Sequence, residues 1–399
     1  MQPKKTGRRL PAWVWNADPY DSAAALLLIG VAVLVILTFR DYAVSNDEEV
    51  QQRYGELIIA YYASGFTDRT VFSFKDLYLY GGLFDILTTL IAKVVPVDVY
   101  SIRHVLCAAT GIAGIAATWA TARLVAGPRA GLIAALVLAL CGPWYGGMFN
   151  HTKDITFAAA MMGATYMLLR VARELPHPRL RDVIFFGLLL GAALGLRAMG
   201  LLLLAYVGLA IVLQIATRGM TANRNTLGFI GRSLLALAPA LLIGYAIMIA
   251  TWPWSALDPF NPVRAIFTFN DFHYPIRTLL AGDVYEMADV PRWYVPAYLV
   301  VKLPLIMLAG LALAALFAAV PRLSRQTLQP QARDDIAFLA VAALLPVMSH
   351  VIGHGPAFTG LRHFLFVVPP LAVLAAIGCD ALMTRLGHWR RSAAVAAGA

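Results

Sequence analysis

The chain has 399 residues, of which 60% are hydrophobic and 14% charged, with a formal net charge of +10. Soluble domains average about 45–50% apolar and about 25% charged residues, so this composition excludes a soluble globular protein and indicates a polytopic all-α membrane protein. The cations cluster in short segments between apolar runs, as the positive-inside rule writes them, so membrane lipids rather than nucleic acid are the expected partners.

Residues 1–22 form a basic N-terminus with Lys4, Lys5, Arg8 and Arg9, expected in the cytoplasm. The run Ala23–Phe39 is long enough to cross a bilayer. Small residues at Ala43-Val44-Ser45 suit a cleavage site, but the run starts late and acids follow at once, so an uncleaved first helix is expected. The polar stretch Arg40–Tyr80 opens the first outer loop (residues 40–100) and carries Asp47 and Glu48 just beyond the membrane exit. A carboxylate pair there is costly unless water, a cation or a substrate proton uses it.

The apolar piece Gly81–Val97 is short, contains Asp85 and Lys93, and reads as interfacial or re-entrant. Spans follow at Ser101–Val125, Ala130–Met148, Asp154–Leu169, Val183–Ala198, Leu201–Thr217, Ser233–Thr251, Pro296–Ala318, Ile336–Val351 and Leu365–Met383, about ten in all. This assignment puts every basic loop on one side, including those with Arg123, Arg173, Arg218, Arg322, Arg325 and Arg333, and the tail 385–399 with Arg390 and Arg391. Counting Gly81–Val97 as a span would send those loops outside. Both termini are expected in the cytoplasm, and residues 23–384 form the membrane domain. Its outer segments (149–154, 252–295 and 352–364, besides the first loop) carry the polar oddities. The long stretch Trp252–Val295 predicts an ordered loop on the membrane with a short helix or two, its Trp252, Trp254, Trp293 and Tyr294 suiting an interface belt. Cys107, Cys141 and Cys379 lie in apolar runs and imply no disulfide framework.

Three groups of residues converge on the outer face. One is Asp47-Glu48, whose members point apart on a helix and so divide the work of base and orienter. Another is Asn150-His151-Thr152-Lys153-Asp154. The last is a set of cations and a histidine, Lys75, Arg103, Arg197, Arg362 and His363, of which Lys75 and Arg103 suit lipid headgroups equally well. Carboxylates beside cations at a membrane surface suit a reaction between a hydroxyl and an anionic lipid-linked donor, the carboxylate taking the proton and the cations the leaving phosphate.

These residues resemble the C-type membrane glycosyltransferases, near the protein O-mannosyltransferase and aminoarabinose-transferase group. The resemblance rests on Asp47-Glu48, on Asn150 to Ala158 against an N-P-K-D-I-P-F-A pattern, on Pro291 to Pro296 leading to Lys302-Leu303-Pro304-Leu305, and on Gly360 to Phe366. It covers about Leu26 to Leu382. It implies a bundle with interfacial helices in the first outer loop, in a bacterial inner membrane with its active site facing the periplasm or exterior. It also implies inverting transfer of a sugar from a polyprenyl-phosphate donor to a glycan, lipid or protein hydroxyl. Asp47 then matches the base, Glu48 its partner and Asp154 the second-loop acid. Lys75 matches a phosphate contact, as do Arg362 and His363 for donor phosphate or sugar. Arg197 joins the phosphate set from topology alone, and the prenyl tail is expected between helices and Gly81–Val97. Thr152 replaces the usual Pro, and the extra C-terminal domain of many relatives is expected to be absent.

No metal ligand set is assigned, although Asp47 and Asp154 could share a divalent cation. A rival function is an ion-coupled transporter or flippase of a lipid or sugar. That class places ionisable groups near the midplane and shows inverted repeats, whereas these acids sit at one surface and no repeat is visible. A non-catalytic scaffold needs no such constellation.

Overall fold

A computed structural model describes residues 18–270, 275–320 and 329–397, with side chains through 387 except that of Asn270. Lys4, Lys5, Arg8, Arg9, Arg322, Arg325 and the side chains of Arg390 and Arg391 lie outside the described residues. The helices in order are α1 (Pro19–Thr38), α2 (Asn46–Ala63), α3 (Leu83–Ala92), α4 (Val99–Ala126), α5 (Pro128–Ala139), α6 (Gly142–Asn150), α7 (Thr152–Glu174) and α8 (Leu180–Leu194). They continue with α9 (Leu202–Thr217), α10 (Arg224–Thr251), α11 (Pro253–Leu257), α12 (Asn261–Asn270), α13 (Tyr294–Lys302), α14 (Leu305–Ala319), α15 (Pro330–Gly353) and α16 (Val368–Ala397).

Among the described residues, seven helices are long and apolar enough to cross a membrane, or nine when the bent pairs α5–α6 (63°) and α13–α14 (114°) each count as one span. The protein is an integral membrane protein. The remaining expected span, Val183–Ala198, is the 15-residue α8, packed along α10. Helix α7 runs through the middle, with 83% of its apolar window buried against 17% for the peripheral α1.

The two ends of the bundle differ in chemistry. At one, ion pairs Arg123–Asp21, Arg129–Asp380, Arg170–Asp182 and Arg173–Asp335 tie helix ends together. At the other lie the exit of α1, the starts of α2, α4 and α7, and the segment around Arg362. The basic-loop alternation read from the sequence therefore corresponds to one physical end of the molecule.

Helix α3 has ten residues and rises about 15 Å, half of the ~30 Å a bilayer core demands. Its burial is inverted relative to a soluble helix. Asp85, Thr88 and Thr89 face the protein, while Leu87 and Leu90 are exposed. The chain enters it through Gly81-Gly82, where Gly82 N donates to Thr251 O at 2.9 Å and Leu83 N to Gly195 O at 3.0 Å. A Cβ on Gly81 would lie 2.0 Å from Gly195 O, so this crossing requires glycine.

The segment after α10 holds the short helices α11 and α12, as expected, and a feature the sequence reading lacked. Strands β1 (Arg277–Leu280) and β2 (Asp283–Glu286) pair antiparallel around Ala281-Gly282, whose φ values of 55° and 99° give a two-residue hairpin turn. Trp252 and Tyr294 do not join an interface belt. Both are fully buried, and Trp252 donates to Tyr78 O at 2.7 Å.

Candidate active site

Helix α2 begins where the chain leaves α1. Ser45 N donates to Glu48 Oε2 at 2.7 Å, which closes the first turn, and Ser45 Oγ donates to Asn150 O at 3.3 Å. Asp47 and Glu48 consequently part. Glu48 is fully buried against His104 of α4, while the Asp47 side chain keeps 44% of its exposure. Acids in this first turn also favour the positive end of the helix dipole.

Arg362 holds Asp47 and Asp154 together. Its Nε donates to Asp154 Oδ2 at 2.5 Å and its other arm to Asp47 Oδ2. Asp154, in the first turn of α7, accepts from Arg197 through its second oxygen. The result is an alternating row, Asp47–Arg362–Asp154–Arg197, running from a half-exposed carboxylate inward to one that is 1% exposed. Arg362 thus bridges the two acids that the sequence offered as sharing a cation. Among the described residues, no group of three or more His, Cys, Asp or Glu side chains is placed to hold a metal ion.

A second, buried cluster lies beneath. Arg103 is wholly buried and donates to Asp85 at 2.9 Å, to Gln51 at 3.2 Å, to Thr88 at 3.1 Å and to Thr152 at 3.3 Å. Lys153 Nζ stands 3.7 Å from Asp85, over the rings of Tyr54 and Tyr80, and has no hydrogen-bond partner. Arg197 Nε is likewise buried and unpartnered. Burial pushes the Tyr80 phenol up, so this ring stays protonated. Burial also pushes the His151 imidazole down, with Arg362 adding to the effect, so His151 is neutral near pH 7.

These groups border a cleft of about 760 Å³ lined by Asp47, Lys75, Tyr80, Lys153, Arg197, Arg362 and His363, among others. Beside it lies an apolar cavity of about 210 Å³ lined by Met199, Ile266, Phe269, Phe364 and Phe366. Tyr80, Arg197, Phe358 and His363 line both. Of the residues singled out in the sequence, Asp47, Lys75, Lys153, Arg197, Arg362 and His363 line the cleft, and Asp154 pairs with two of them. Glu48 and Arg103 lie behind the wall, and His151 caps α7 with its Nδ1 buried and unpartnered. The sequence reading missed Tyr80, Asp85 and His104. Asp85 and His104 left one signal, a charge or imidazole inside an apolar run.

Residues 83–245 match the family model described as dolichyl-phosphate-mannose-protein mannosyltransferase. No curated protein matches the chain. Among solved structures, it resembles ArnT from Cupriavidus metallidurans bound to undecaprenyl phosphate, with a TM-score of 0.58 and 17% identity, over 96% of this chain and 64% of that one. The apo form of the same protein gives 0.58 and 18%, over 90% and 60%. The apo oligosaccharyltransferase of Archaeoglobus fulgidus gives 0.55 and 14%, over 95% and 52%. The chain thus spans between about half and two-thirds of the length of these proteins. It has the fold of the C-type membrane glycosyltransferases, and it is similar to the protein mannosyltransferases over the matched segment.

Proposed function

We propose that the protein transfers a sugar from a polyprenyl-phosphate donor to a hydroxyl acceptor, at the end of the bundle that faces away from the cytoplasm. The observation that carries this reading is a pair of buried donor atoms without hydrogen-bond partners, Lys153 Nζ and Arg197 Nε, on a cleft that Asp47 also lines. Buried donors left unpaired cost about 1–3 kcal/mol each, so an anion that satisfies both gains that much in binding. The local charge agrees. The cations Arg103, Lys153, Arg197 and Arg362 face the carboxylates Asp47, Asp85 and Asp154, which leaves one positive charge in excess.

In the proposed displacement, the acceptor oxygen attacks the anomeric carbon, forming the new C–O bond as the bond to the phosphate oxygen breaks. The acceptor proton passes to Asp47, and the leaving phosphate carries the electron pair toward Lys153 and Arg197. One attack on one carbon inverts the anomeric centre. The apolar cavity beyond Tyr80 supports placing the first isoprene units against Ile266, Phe269 and Phe366. Helix α3 turns a polar face inward and lines neither space, so the tail is better placed here than along Gly81–Val97.

Binding of undecaprenyl phosphate to the protein in lipid nanodiscs tests this reading. Lys153→Met should weaken it at least about tenfold, the equivalent of one charge-assisted hydrogen bond. Absence of saturable binding to the unaltered protein would sink the proposal.

A further inference from the structure

We infer that His104 is a positioning residue for Asp47, acting as a clamp across the loop that joins α1 to α2. One imidazole reaches both ends of that loop. Its Nδ1 lies 3.2 Å from Phe39 O, the carbonyl at the exit of α1. Its Nε2 lies 3.2 Å from Glu48 Oε1 and 3.3 Å from Oε2. Both partners are oxygen acceptors, so the ring either carries two protons or shares the second with Glu48. The pair is sealed from solvent, with the His104 side chain 4% exposed and Glu48 fully buried.

Glu48 in turn holds Ser45 N, which fixes the first turn of α2 and the backbone from which Asp47 projects. The opposite side of the loop is tied to the end of α6. Asn150 Nδ2 donates to Ala43 O at 3.2 Å, and Tyr42 stacks on Phe149 at 3.7 Å between ring centroids. The loop 40–45 is therefore held from α4 at its two ends and from α6 along its length, and the His104 contact acts on Glu48, the residue next to the acid. Neither His104 nor Glu48 lines the cleft, so they act through Asp47 and not on substrate. The requirement is geometric, since an error near 1 Å in a reacting group can cost about 10²-fold in rate.

This inference rests on Asp47 being the acceptor base, and its test separates the two claims. In His104→Ala, hydrogen–deuterium exchange in peptides covering 40–50 should rise about tenfold, with peptides from the middle of α7 unchanged. Undecaprenyl phosphate should bind within about threefold of the unaltered protein. Turnover with a panel of undecaprenyl-phosphate-linked sugars should show kcat down at least about tenfold and donor KM nearly constant. Glu48→Gln, which keeps the shape of the side chain, should behave alike, and the double variant should be no worse than either single one. If His104→Ala does not fold, Glu48→Gln alone carries the exchange and turnover measurements. Unchanged exchange at 40–50, unchanged kcat, or additive effects in the double variant would each overturn the clamp. Failure of the unaltered protein to bind the lipid phosphate strikes the functional reading instead, and the exchange result still decides on the clamp.

Discussion

Asp47 and Asp154 share one arginine, yet their replacement by asparagine should lower stability by unequal amounts. Asp154 is 1% exposed and meets the guanidiniums of both Arg197 and Arg362, themselves 14% and 17% exposed. Asp154→Asn preserves shape and removes the charge. Arg197 then loses its carboxylate, while Arg362 keeps Asp47. Breaking a buried pair costs about 3–5 kcal/mol, and the surviving contact to Asp47 places this case near 3 kcal/mol. At about 2 °C per kcal/mol, the low end for large domains, the unfolding midpoint should fall by about 6 °C. Asp47→Asn breaks a pair whose acid is 44% exposed, which screening limits to about 0–1 kcal/mol, or at most about 2 °C. Thermal unfolding of both variants in one detergent is the assay. Equal shifts for the two, or an Asp154→Asn midpoint that does not move, would refute the graded burial of the row.

Gly81→Ala should perturb the site from outside it, because the new Cβ meets the Gly195 carbonyl at 2.0 Å and the strain falls beside Tyr80; weaker undecaprenyl phosphate binding than in Gly30→Ala, where nothing lies within 4 Å, checks this. Arg103→Met should lower the unfolding midpoint more than Lys153→Met, since it strips Asp85 of its one hydrogen-bonded cation, a cost of about 3–5 kcal/mol. His151 has a folded pKa below its unfolded value of about 6.5. The unfolded state therefore binds more protons as pH falls through 6.5, and stability declines there; His151→Gln should flatten that acid limb of the midpoint-versus-pH curve. Transfer activity should survive EDTA, because Arg362 bridges Asp47 and Asp154; a loss restored by divalent cation would contradict that assignment.

Most of the architecture was legible because it follows from two strong patterns. Apolar runs near bilayer length gave the spans, and the alternation of basic loops predicted the short α3, whose ten residues cannot span. The same alternation placed Arg197 at the end that also carries Asp154, and the two pair directly. What stayed hidden depends on contacts between distant residues. Arg103 read as a surface cation, and nothing near it in the chain showed that Asp85, Gln51 and Thr152 would enclose it. Glu48 read as the partner of Asp47 at the outer face, and nothing near it in the chain showed that the first turn of α2 would bury it against His104. The hairpin went unread because Ala281-Gly282 lacks the Asn or Asp that usually marks such a turn.

Whether Asp47 is the acceptor base in a transfer from a polyprenyl-phosphate donor is decided by one comparison. Purified protein and Asp47→Asn, in vesicles without an ion gradient, are supplied with undecaprenyl-phosphate-linked radiolabelled sugars and a crude envelope acceptor fraction. Transfer by the unaltered protein is expected, with a loss of about 10²–10⁴-fold in the variant and undecaprenyl phosphate binding retained. Transfer at a near-normal rate by Asp47→Asn would contradict that role for Asp47.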